Sequence, residues 1–183
     1  MKEKIEKMKL KGIIFENGLT EEEIKKIEER YSIKFPKSLI DFYSIGLPTG
    51  EGFVNWRDDS ENNIIDIKKR LDRPFDGLIW GIEKNDFWVE GWEKPNTLEA
   101  KKQKLLEKMK NEPKPIPIYI HRYILSAEGV DDPAVLSMHD DDIIVYGDNL
   151  LEYLDNEFIG ENHKHECHYS DTMGKWVDIM ESY

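Results

Sequence analysis

The chain has 183 residues, and 26 Lys and Arg stand against 38 Asp and Glu, so its formal net charge is −12. This length suits one domain with an adequate core, and the single cysteine excludes an internal disulfide, so we expect a reducing, cytoplasmic setting. The acidity argues against nucleic-acid binding, and no apolar run is long enough for a signal peptide or a membrane span.

The first part of the chain is predicted to be mainly helical. Thr20 and Glu23 have the spacing of a capping box, and Ile24, Ile27 and Tyr31 follow at helical spacing. The predicted elements are helices over 2–9, 20–32, 35–45, 64–71 and 97–111, with a glycine-rich stop at 46–52 and a loop or short strand over 53–63.

Strands are predicted in the middle and later parts of the chain. They cover 78–82, 87–89, 118–125, 135–139 and 143–146, and Pro117 should lie at a strand start or on a sheet edge. A helix capped by Asp148 or Asn149 carries Leu150 to Phe158, and another closes the chain around 176–180. The irregular order predicts an α+β fold with a central, mainly antiparallel sheet flanked by helices. We expect a single domain over 1–183, with a possible helical extension at 1–18 and a polar connection and last helix at 159–183.

Negative charge is concentrated in the last third of the chain. Residues 128–183 contain 15 Asp and Glu, and Lys164 and Lys175 are their only Lys or Arg residues. Such asymmetry indicates an acidic face for a charged partner, although solubility alone also explains it.

The acidic turn suggests where a partner would bind. Asp140, Asp141, Asp142 and Asp148 bracket one predicted strand and could present their carboxylates on a single rim. A compact acidic protein could then occupy the basic cleft of a nuclease. Trp56 and Arg57 stand in a glycine-bounded loop and are candidate exposed anchors. The alternatives are that the aspartates only form a solvated turn and that Trp56 packs in the core.

Six short segments of the chain resemble the Smi/Knr family of the SUKH superfamily. They stand in the family's order and extend from about Leu19 to Phe158. They read FPKSL, NWRD, DFW, IPIY with HRY, PAVLS and DIIVYGDN, at 35–39, 55–58, 86–88, 116–123, 133–137 and 142–149. The acidic turn at 140–142 and the His-rich stretch at 161–168 depart from the family pattern.

The resemblance implies an α+β fold and a role in binding another protein. Many bacterial members are immunity proteins that neutralise toxins, often nucleases, whereas a fungal branch regulates cell-wall assembly inside the cell. The excess of Lys over Arg (21 against 5) and of Ile over Val (21 against 6) indicates an AT-rich bacterial gene and favours immunity. The family supplies no catalytic motif, so no catalytic residues carry over. We therefore expect a non-enzymatic protein with no cofactor, whose partner is a basic toxin domain.

Three other groups of residues offer weaker alternatives. His163, His165, Cys167 and His168 are suitable zinc ligands, but a structural site needs a second cluster that the sequence lacks. His121 beside Arg122 could serve a small hydrolase that uses a carboxylate, and Glu83, Asp86 and Glu90 could form a glycosidase pair. Structural pairing and solvation explain these residues as well.

Overall fold

The computed structural model describes residues 1–160 and 168–182. In this part of the chain, the strands form two antiparallel sheets. The larger sheet has four strands, each paired with the next along the chain: β3 (Lys114–Tyr119), β4 (Arg122–Ser126), β5 (Val135–His139) and β6 (Asp142–Gly147). The smaller sheet pairs β1 (Ile14–Asn17) with β2 (Gly46–Thr49). The predicted α+β fold with a mainly antiparallel sheet is thus confirmed.

Helices cover both faces of the larger sheet. They are α1 (Lys2–Leu10), α2 (Glu21–Tyr31), α3 (Lys37–Ile45), α4 (Glu61–Lys84), α5 (Leu98–Met109), α6 (Leu150–Leu154), which continues as a π-helical turn over Asp155–Ile159, and α7 (Trp176–Met180). None of the helices in the described residues is both long and apolar enough to span a bilayer.

The alternation of side chains along the strands separates two hydrophobic clusters. Ile124 and Val135 point to the cluster that packs against α1, α2, α3 and α6. Tyr123 and Leu136 point to the other side, where the C-terminal half of α4 packs together with α5 and α7. Because successive strand residues face opposite sides, the sheet is buried between two helical layers.

Several predicted helix ends are confirmed. Thr20 accepts a hydrogen bond from the backbone N–H of Glu23, and the Glu23 carboxylate accepts one from the N–H of Thr20, which completes the capping box. Thr97 caps α5 and Asn149 caps α6 in the same way, through a side-chain oxygen. These ends are local, so the sequence alone predicts them.

The helix predicted over 64–71 and the strand predicted over 78–82 are one long helix, α4, so the strand prediction is wrong. Ile67, Leu78 and Ile82 lie on its buried side, which is a helical spacing. Pro74 lies inside the helix and cannot donate to the carbonyl of Arg70. The hydroxyl of Tyr123 donates to that carbonyl instead, at 3.1 Å, which allows the helix to continue.

The single strand predicted over 118–125 is a hairpin. β3 ends at Tyr119 and β4 begins at Arg122, so Ile120 and His121 form a two-residue turn. β3 is an edge strand, which confirms the expected position of Pro117. The predicted strand at 87–89 is not formed, and the stop at 46–52 contains β2, a strand that was not predicted.

Candidate docking surface

Trp56 is buried, so its expected role as an exposed anchor is wrong. Its side chain is 2% exposed, and the indole N–H donates to the Tyr43 hydroxyl at 3.2 Å. The ring of Phe35 packs edge-on against it, with 5.1 Å between ring centres. Burying so large an aromatic surface stabilises the fold and leaves nothing for a partner to contact.

Arg57 holds the fold together locally. Its guanidinium pairs with the Glu23 carboxylate at 2.7 Å and donates to the carbonyls of Asn17 and Gly18, both at 2.9 Å. The hydrogen bonds from Arg57 and then from the Thr20 N–H lower the pKa of Glu23 from 4.5 to about 2. Arg57 thus joins three segments of the chain, and its donors are used within the molecule.

The four aspartates do not share one rim, which corrects the expectation from sequence. Asp140 and Asp141 form the turn before β6, whereas Asp148 follows its last residue. A strand of this length places the two groups roughly 17–20 Å apart. Asp148 contacts His168 at that far end, with 2.6 Å between carboxylate and ring nitrogen.

The acidic residues of the last third that the structure describes do not form one anionic face either. Asp155 pairs with Lys4, and Glu157 pairs with Arg122, so cations from earlier in the chain balance part of its charge. Asp132 accepts a hydrogen bond from the Leu150 N–H. Asp132 precedes β5, so it lies at the end of the sheet opposite to Asp140.

The β5–β6 turn packs directly against two glycines of α4. A Cβ atom at Gly77 would lie 2.5 Å from the Asp140 carbonyl oxygen, and one at Gly81 would lie 2.6 Å from the Cβ of Asp141. The Asp141 carboxylate is buried and accepts a hydrogen bond from the Asn85 amide at 2.8 Å. Asp141 therefore fixes the end of α4, while the side chains of Asp140 and Asp142 remain accessible.

The β3–β4 turn lies at the same end of the sheet. Ile120 adopts φ of 46°, which is unfavourable for a β-branched residue, and its side chain is 45% exposed. Its N–H donates to the Gly52 carbonyl at 2.9 Å. The rings of His121 and His139 are in edge-to-face contact, with 5.7 Å between their centres, and link this turn to β5.

The residue after His121 is held inside the fold. Arg122 pairs with Glu157 at 2.8 Å, donates to the Ser137 hydroxyl at 2.7 Å and stacks on the Tyr146 ring at 3.7 Å. Burial, followed by the charges of Arg122 and His139, lowers the pKa of His121, so its ring is neutral at pH 7. The structure assigns Arg122 a packing and pairing role.

Of the three carboxylates weighed as a glycosidase pair, Glu83 and Asp86 form ion pairs, and the backbone N–H of Glu90 donates to the Ser182 hydroxyl. Glu83 pairs with Lys102, and Asp86 pairs with Lys101 and Lys94. His163, His165 and Cys167 lie outside the described residues. Within 1–160 and 168–182, no three His, Cys, Asp or Glu side chains are grouped as metal ligands.

We call the exposed end of the sheet the turn-end surface. Ile144 is 49% exposed on β6 and is paired in register with Ser137. Arg73 and Ile120 both line an open cavity of 930 Å³ beside this surface. The turn-end surface consists of Ile120, His121, His139, Asp140, Asp142 and Ile144. Exposed aliphatic groups within a polar surround are typical of protein interfaces.

Asp140 and Asp142 were predicted from the sequence as contact residues, whereas the aliphatic members of the surface were not. Ile144 could have been identified, because Ile143 and Val145 face the core and the residue between them must point outward. Ile120 gave no signal, since β-branched residues are uncommon at turns that require positive φ.

Comparison with known proteins places the chain in a family. The family model described as the SMI1 / KNR4 family (SUKH-1) matches residues 18–158, well over half of the chain. No curated protein and no solved structure gives a significant match. The matched region contains the larger sheet and both of the turns at its exposed end. The chain is therefore a member of the SMI1 / KNR4 (SUKH-1) family.

Proposed function

We propose that this chain is a non-enzymatic bacterial immunity protein that binds and neutralises a toxin domain through its turn-end surface. Family membership is compatible with either an immunity protein or a regulator. The observation that carries the proposal is Ile120, a β-branched residue that is exposed at the tip of a hairpin with positive φ. Such a conformation costs about 1–3 kcal/mol.

The strain at Ile120 is informative because nearly half of this side chain is exposed, while the rest of it lies against Gly52. Asn, Asp or Gly would adopt the same backbone conformation more easily and would expose less apolar surface to water. An aliphatic residue at this position makes physical sense when a partner covers it. Because a partner can cover only the exposed part of the Ile120 side chain, its burial would contribute about 1 kcal/mol to binding.

The aspartates at the β5–β6 turn favour a cationic partner at that part of the surface. The carboxylates of Asp140 and Asp142 are accessible on either side of the β5–β6 turn. A toxin that acts on nucleic acid needs a basic cleft, and exposed carboxylates accelerate association with such a cleft. We therefore place the toxin, as a nuclease in the cytoplasm, against this end of the sheet.

Co-expression tests the proposal directly. The toxin domain encoded beside this gene is expressed alone, with the wild-type chain, and with the variants Ile120→Asp and Leu98→Asp. Leu98 is the matched control, since it is 45% exposed on α5 and lies outside the turn-end surface. We expect the wild type and Leu98→Asp to protect the cells and Ile120→Asp to fail.

Two outcomes would contradict the proposal. Protection by Ile120→Asp at wild-type expression would show that the turn-end surface does not contact the toxin. A gene neighbourhood without a toxin would favour the second candidate function, an intracellular regulator of the cell-wall-assembly type, which the family also allows.

A further inference from the structure

An apolar slot lies away from the turn-end surface. It has a volume of about 330 Å³ and lies between the end of α2, the middle of α4 and the end of α5. Leu106 stands at its rim and is 47% exposed. The apolar side chains that line the slot are Tyr31, Ile33, Leu71, Phe75, Leu106, Met109 and Pro115.

The slot opens into a larger groove that is lined by both charged and apolar residues. This groove has a volume of about 930 Å³ and continues past the start of α3 to the loop between β4 and β5. Ser32, Ile33, Lys110 and Lys114 line both cavities, so slot and groove form one continuous depression. A ligand that fills both cavities must be extended, with an apolar group in the slot and a continuing chain that has polar groups in the groove.

The residues that line both cavities form the junction between slot and groove, and the unpaired charges there are positive. Lys114 donates to the Ser32 carbonyl at 3.1 Å, and neither Lys110 nor Lys114 has a carboxylate partner among the described residues. Glu112 lines the junction too, but it is paired with Lys175. Asp72 is exposed and lines the slot but not the groove. The two lysines therefore leave a cationic position next to the apolar slot.

Farther along the groove, the charges are largely balanced within the chain. Glu28 pairs with Lys34, Glu29 with Lys25, and Lys37 with Asp41. This part of the groove therefore has hydrogen-bonding groups but little unpaired charge, apart from Glu128 and Asp131 at its far end. A charged group on a ligand would therefore be recognised at the junction.

We propose that the slot and groove bind an extended peptide segment of a protein partner, with an apolar side chain in the slot and a neighbouring carboxylate at Lys110 and Lys114. The slot is at the low end of the volumes of small-molecule sites, and its open side favours a chain over a compact ligand. Apolar anchors combined with polar contacts to an extended backbone are a common mode of peptide recognition. This second site is independent of the toxin contact.

The test uses two blocked peptides as probes, acetyl-Gly-Asp-Phe-Asp-Gly-amide and the matching peptide with Lys in place of Asp. Each is titrated into the full chain labelled with ¹⁵N, and amide shifts are followed by NMR. We expect the Asp peptide to shift the amides of Leu106 and Lys110 with a millimolar dissociation constant. The Lys peptide should bind at least about tenfold more weakly.

Variants with matched controls locate the site. Leu106→Asp should abolish the shifts, while Leu98→Asp, an equally exposed position on the same helix, should leave them unchanged. Lys110→Glu together with Lys114→Glu should reverse the preference between the two peptides. Lys11→Glu, at an exposed lysine that lines neither cavity, should not alter the preference.

Three results would overturn the proposal. The first is equal binding of the two peptides, and the second is a set of shifts that maps outside the slot and groove or is absent at millimolar peptide. The third is phenylacetate shifting the same amides as strongly as the Asp peptide, which would make the slot a small-molecule site. None of these results depends on the toxin, so this proposal and the proposed function can fail separately.

Discussion

The hydroxyl of Tyr123 on β4 donates to the carbonyl of Arg70 on α4, at a distance of 3.1 Å. Pro74, four residues after Arg70, has no N–H and would otherwise leave this carbonyl without a helical donor. A strand residue thereby repairs the helix at the point where its own sequence interrupts it. Because Tyr123 is fully buried, this bond also fixes how α4 lies on the sheet.

Replacing Tyr123 by Phe should lower the free energy of unfolding by about 1–3 kcal/mol, because the Arg70 carbonyl loses its donor. In a Pro74→Ala background, the new N–H of residue 74 can donate to that carbonyl, so the same replacement should cost much less. Urea denaturation of the wild type, the two single variants and the double variant measures this difference. Equal costs in both backgrounds would show that the hydroxyl does not act through Arg70.

Acid should weaken the Arg57 contacts. The pKa of Glu23 falls from 4.5 to about 2 in the folded chain, so its contribution to stability is present above pH 4.5 and is lost as the pH falls towards 2. Because the pair is partly exposed, we expect that loss to be about 1 kcal/mol. Glu23→Gln should remove this part of the pH dependence. Urea denaturation of both proteins at pH 7 and pH 3 tests this. An equal fall in the free energy of unfolding between the two pH values in both proteins would count against it.

Gly77→Ala should destabilise the chain, although alanine normally favours a helix by about 1 kcal/mol over glycine. The added Cβ would lie 2.5 Å from the Asp140 carbonyl oxygen, so the turn must move away from α4. We expect a loss of about 1–3 kcal/mol in the free energy of unfolding. Asp76→Ala, on the exposed side of the same helix, is the control and should be neutral or slightly stabilising. A stabilising Gly77→Ala would mean that the turn is not held against α4.

Ile120→Asn should make the chain more stable and at the same time weaken its binding to a partner. Asn tolerates positive φ better than isoleucine, so the free energy of unfolding should rise by about 1 kcal/mol. The same change removes the aliphatic group and should weaken protection against the toxin. Thermal melts and the co-expression assay measure the two effects. A variant that is less stable than the wild type would show that Ile120 is held by packing and carries no strain.

Local signals made part of the fold predictable. The capping box at Thr20 and Glu23 and the alternation of β6 depend on neighbouring residues, so the sequence is sufficient to predict them. The second half of α4 was missed because Asp76 and Gly77 were interpreted as the start of a strand over 78–82. Gly77 and Gly81 are both glycines inside the helix. They lie inside this helix because the β5–β6 turn, far along the chain, packs directly on them.

The candidate surface was less predictable, because residue type does not reveal burial. Trp56 and Asp141 looked exposed in the sequence, but contacts with Tyr43 and Asn85 bury their side chains. The aspartates of the turn were assigned to the correct loop. Their separation from Asp148 follows from the length of β6, because residues that bracket a strand lie at its two ends.

The alternation of β6 has a consequence for the surface of the chain. Ile143 and Val145 are fixed by the interior, whereas Asp142 and Ile144 point outward. Substitutions at these two outward positions would alter the surface without disturbing the packing on the other side of the strand. The same strand can therefore carry different exposed side chains at Asp142 and Ile144 and retain one scaffold.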